Sequence, residues 1–121
     1  LAVPAKAHHS FNTFFDMSRT IEIEGVVTSF RLVSPHSEML VDVPDVGGKP
    51  VTWRITARTG AVNAKREGWK VEDFIGKKVK VYYHPAHRKG EPLGYGRIFE
   101  FDGGPRIVFT PENGAPQYPQ Q

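Results

Sequence analysis

Between Thr20 and Phe109 the chain breaks into short runs in which apolar and polar residues alternate, separated by glycine and proline. Few folds can be built from such runs. Ile21 and Ile23 alternate with Glu22 and Glu24, and Val26-Val27 follow Gly25. A period of two with β-branched residues marks a strand that buries one face. The pattern predicts a first strand from about Thr20 to Leu32, with Gly25 at a bulge or sharp bend. Ser34-Pro35-His36 interrupts it, because proline brings no N–H to a ladder. A second strand then puts Met39, Val41 and Val43 on one face, with Glu38, Leu40 and Asp42 on the other. Val46-Gly47-Gly48-Lys49 reads as a hairpin turn. The third strand, Pro50 to Ala57, carries Val51, Trp53 and Ile55 on one face, so Trp53 is expected in the core.

From Thr59 to Trp69 the alternation is lost. Thr59 suits an N-cap, Ala61, Val62, Ala64 and Lys65 favour a short helix, and Gly68 would end it. A fourth strand follows over Val79 to His84, then a polar loop, Pro85 to Gly96. The fifth strand is expected over Arg97 to Phe101, turned by Asp102-Gly103-Gly104-Pro105 into a last one, Arg106 to Phe109. Three strands, a short helix and two or more further strands is the order of the OB fold. The expected class is all-β with small α content: a five- to six-stranded OB-like β-barrel with one short helix between strands 3 and 4. A β-sandwich is the alternative, but it gives no reason for a helix there.

The 121 residues suffice for one domain with one core. Residues 8–109 are read as that domain and 110–121, rich in Pro, Gly and Gln, as a loosely ordered tail. Residues 1–7, LAVPAKA, place small residues at Ala5 and Ala7 in the A-x-A pattern of a signal-peptide cleavage site. They are read as a signal-peptide remnant, which gives a periplasmic or secreted location. The absence of cysteine excludes disulfides, thiolate metal sites and thiol catalysis. Sixteen basic and 13 acidic residues leave a net charge of +3, too mild and too dispersed to call for nucleic acid. No apolar run reaches the ~20 residues of a membrane-spanning helix.

Catalytic signatures are weak. No serine sits in a G-x-S-x-G elbow, and there is no Walker loop or dinucleotide fingerprint. Glu22 and Glu24 share a strand face that solvent alone explains. The sequence therefore favours a binding protein over an enzyme. The five histidines are the strongest lead. Cleavage after Ala7 would give His8 a free α-amine beside its imidazole, a pair that suits the square-planar preference of copper(II). His9 and His36 are the further nitrogen donors, His36 because it opens a strand after the proline turn. Cleavage after Ala5 would instead leave Lys6-Ala7-His8, an amine with histidine third, which chelates copper(II) through backbone nitrogens. The bland reading is that terminal histidines bind divalent metal loosely whether or not it is used. His84 and His87 form H-x-x-H, read as part of an exposed Pro-rich loop, and the glycines of GEPLGYG are read as loop glycines.

AHHSF at Ala7 to Phe11, Phe15-Asp16, G-x-V at Gly25 to Val27, Pro35-His36, Trp53, R-x-G-W at Arg66 to Trp69, K-V-x-V at Lys78 to Val81 and Asp102-Gly103 together carry a resemblance. Over about residues 7 to 109 the chain resembles the domain-of-unknown-function family 6152, small exported bacterial proteins. That family usually has Asn before the P-H pair, where this chain has Ser34. The resemblance implies an exported OB-like domain, implies no activity, and makes His8, His9 and His36 family-motif positions. Two functions are thus expected. One is copper(II)-type metal binding through His8, His9 and His36. The other is a metal-free module for a protein or small-molecule partner, with the histidines docking the N-terminal segment.

Overall fold

A computed structural model of the chain describes residues 13–32, 36–58 and 68–108. The expectations for residues 1–7, for His8 and His9 and for the 110–121 tail lie outside them. So does the expected helix over residues 59–67; the described part of that connection holds a single 3-10 turn, Val71–Asp73.

Among the described residues six strands form one sheet: β1 Ile21–Arg31, β2 His36–Pro44, β3 Pro50–Arg58, β4 Lys78–Pro85, β5 Leu93–Phe101 and β6 Arg106–Val108. Their order is β3-β2-β1-β4-β5-β6, and a parallel pairing of β3 with β5 closes the first five into a barrel. β6 pairs with β5 beyond its short stretch with β3, through Ile98↔Val108 to Glu100↔Arg106. β1 serves both halves. Its first residues pair with β4, from Ile21↔Tyr83 to Val26↔Lys78, and its last with β2, from Val26↔Asp42 to Arg31↔Glu38. Gly25 sits where the partner changes, and a Cβ there would strike the Asp42 carbonyl oxygen. The bulge expected at Gly25 lies instead between Val27 and Ser29. The glycine answers a close backbone approach, which is the other use of glycine in a strand.

The alternating residues face inward as expected. Val27, Met39, Val41, Ile55, Val79 and Val81 are at most 1% exposed and form the centre of the core with Phe30, Phe74, Phe99 and Phe101. Trp53 packs against it from the rim, its ring edge-on to Tyr83 at 5.2 Å.

The largest correction concerns β5, which begins at Leu93 rather than Arg97. Of the supposed loop glycines, Gly94 and Gly96 are strand residues, while Gly90 does lie in a turn. A Cβ on Gly94 would meet the Tyr83 ring, and one on Gly96 would meet Phe99 and Ile55. Both glycines therefore face inward and leave room for those larger side chains. Glycine carries no apolar signal, so the alternation ran through this stretch unseen.

Candidate functional site

The β4–β5 ladder pairs Tyr82 with Ile98 and Tyr83 with Gly96, which leaves Arg97 as an extra residue in a β-bulge. Tyr83, Gly94 and Gly96 take the inward positions. His84 and Tyr95, paired across the two strands, therefore take outward ones, and the bulge brings Arg97 to the same side. Outward positions on a barrel are ordinarily wet. Here His84 is 3%, Tyr95 4% and Arg97 6% exposed.

The segment leading into β1 crosses this end of the strands. Phe15 forms a bridge with Ala86. Asp16 N donates to Pro85 O at 2.8 Å, and His87 N donates to Phe14 O at 3.0 Å. The buried Phe15 ring lies 5.8 Å from that of Tyr95. Asp16 folds the segment locally by accepting hydrogen bonds from Ser18 N at 3.1 Å and Ser18 Oγ at 2.6 Å. Those two bonds hold its carboxyl below the ordinary aspartate range.

His84 joins segment and barrel. Its Nδ1 lies 2.7 Å from Arg19 O. A carbonyl can only accept, so Nδ1 carries the proton and Nε2 offers a lone pair. Arg97 Nε donates to that Nε2 at 3.3 Å, the long end of the range. Burial, seconded by the adjacent Arg97 charge, pushes the imidazole below its ordinary pKa, against the opposing effects of the Arg19 carbonyl and Asp16. His84 is thus neutral at pH 7. The Arg97 guanidinium lies over the Tyr95 ring, 4.8 Å from its centroid, a cation–π contact. Among the described residues its Nη1 is buried without a hydrogen-bond partner.

His36 stands elsewhere. It heads β2 opposite Arg58 of β3. In the closed barrel β1 on one side, and β3 and β5 on the other, separate its strand from β4, which carries His84. Burial, then the Arg58 charge, lowers its pKa. His8 and His9 lie outside the described residues, and among those residues no three His, Asp or Glu side chains are grouped to hold a metal. The exposed-loop reading of His84 is overturned, because the residue is a buried member of β4. Tyr95 and Arg97 were not singled out as partners for it. The sequence signal for a covered outer face is Phe15 ahead of the first strand, an apolar residue that needs a surface to lie on; its neighbour Phe14 stays exposed.

No helix among the described residues is long and apolar enough to cross a membrane. No curated protein and no solved structure matches the chain. One family model does, that of a family of unknown function, DUF6152, over residues 1–95. The match ends within β5, with Tyr95 inside it and Arg97 beyond.

Proposed function

Since this chain belongs to DUF6152, a family of unknown function, we propose its role from its own geometry: a non-enzymatic binding barrel, exported to the periplasm or secreted. Its binding face is the outer side of β4 and β5 where the entry segment crosses. The observation that carries this reading is the burial of His84, Tyr95 and Arg97 on the outside of the barrel. Both nitrogens of His84 are committed, one to Arg19 O and one to Arg97 Nε, so the imidazole positions groups rather than shuttling protons. Amide chemical-shift mapping of the full chain against small carboxylates, sugars and short peptides tests it. Shifts should gather at residues 13–19, 84–87 and 95–97. Binding confined to other surfaces, or turnover of any compound, contradicts it.

Copper(II) binding through His8, His9 and His36 is the second reading. What favours it is the lowered pKa of His36, since a metal takes the neutral imidazole. The neighbouring Arg58 charge opposes it. Calorimetric titration of protein processed after Ala7 with copper(II) sulfate decides the matter. His36→Ala should weaken binding by more than about tenfold, equivalent to ~1.4 kcal/mol. A smaller loss removes His36 from the site. His87→Ala is the comparison variant, because the His87 backbone is bonded to the segment that continues back to His9.

A further inference from the structure

We infer that Arg97 anchors a buried site for a single carboxylate group, an inference that rests on the binding reading above. A guanidinium keeps its charge at any accessible pH, and a buried charge is costly unless paired. The partners of Arg97 among the described residues are neutral: the lone pair of His84 Nε2 and the face of Tyr95. The carboxylate of Asp16 accepts from Ser18 through Oδ1, and the arginine charge acting on it is that of Arg19, not of Arg97. Were Arg97 present only to fill space, an apolar chain of similar volume would serve at least as well. The buried Nη1, a charged donor without an acceptor among the described residues, is the feature that points to a ligand.

The surroundings narrow the class of ligand. Nε is held by His84 and the flat face by Tyr95, which fixes the plane of the guanidinium and leaves its Nη end for recognition. A planar pair of oxygens matches that end in the bidentate manner of arginine–carboxylate pairs. One fixed charge balances one negative charge. A phosphate dianion would bring a surplus charge into a site bordered by the rings of Phe15 and Tyr95. The fitting ligand is a monocarboxylate with a small apolar substituent, such as acetate or an N-acylated amino acid.

Thermal melts and calorimetry of the full chain near neutral pH test this with sodium acetate and N-acetylalanine. Sodium chloride at matched ionic strength and N-acetylalaninamide are the controls. A saturable rise in melting temperature is expected with both carboxylates and with neither control. Arg97→Met should abolish the rise, and Arg97→Lys should keep a weaker one, because lysine has charge but no fork. No saturable response to either carboxylate overturns the inference, as does an equal response to chloride or to the amide, or in Arg97→Met. If Arg97→Met does not fold, the wild-type Arg97 side-chain N–H resonances give the answer. They should shift with acetate, and their constancy overturns the site. Should other probes map to residues 13–19 and 84–97 while carboxylates do not, this inference fails and the binding face stands. Should nothing map there, both fail.

Discussion

The barrel interior and the outer side of β4–β5 are both shut off from water, but on different terms. Inside, Val27, Val41, Val79 and Val81 meet other apolar groups, and stability follows from area removed from water, at roughly 25 cal/mol per Å². Outside, His84 and Arg97 are buried with their polar atoms, and stability there depends on particular pairings. The interior should tolerate changes of polarity on its rim and resist changes of volume. The outer cluster should do the reverse. A small protein can thus keep a rigid scaffold and a chemically sensitive surface within one strand pair, β4 and β5 supplying residues to both.

The largest expected effect is on the interior. Phe74 is 2% exposed and its ring touches those of Phe30, Trp69 and Phe101, the last at 4.5 Å between centroids. Phe74→Ala should cost about 3–5 kcal/mol in urea unfolding. The outer cluster should respond less: His84→Ala leaves the Arg97 Nε donor and the Arg19 carbonyl unpaired, at about 1–3 kcal/mol. A loss at His84 as large as that at Phe74 would erase the distinction between the two regions.

Titration separates them further. Folding lowers the pKa of His84, so as pH falls the unfolded chain takes up the proton first. The stabilisation is fully present above the unfolded value of about 6.5 and drains away as pH drops through the lower folded value. His36 acts in the same direction. Melting temperature should therefore fall on mild acidification, and His84→Gln should flatten that slope without abolishing it. Asp16, also lowered, is lost only below about pH 3.9, a separate window. An unchanged slope in His84→Gln would mean that this imidazole is not held neutral by the fold. The smallest effect belongs to the solvated surface. Arg106 Nε lies 3.0 Å from Glu100 Oε2, yet the pair is partly exposed, and Glu100→Gln should change stability by less than about 1 kcal/mol.

Much of the interior was readable in the sequence, because alternation reports which residues avoid water. Met39 and Ile55 take the inward positions that alternation assigns them. The same rule fails at His84. Alternation sends it outward, and nothing in a period of two tells whether another piece of chain lies over an outward face. Tyr95 was hidden by its flanking glycines, whose value lies in the space they leave for Tyr83, Phe99 and Ile55. Arg97 was hidden by the bulge, which shifts register by one residue without changing composition. The Arg58 charge opposite His36 was within reach, since a hairpin pairing Pro44 with Pro50 carries the register to that pair. The proposed third copper ligand could thus have been seen to face a cation. His8 and His9 fall outside the described residues, and the metal reading stands or falls on titration.

The protonation pattern of the His84 ring, read by long-range proton–nitrogen NMR, bears most directly on a neutral imidazole holding both the entry segment and Arg97. Expected at neutral pH is a proton on Nδ1 and a bare Nε2, persisting on mild acidification below the range where an exposed histidine titrates. A proton on Nε2 at neutral pH would contradict it, since that nitrogen could then accept nothing from Arg97.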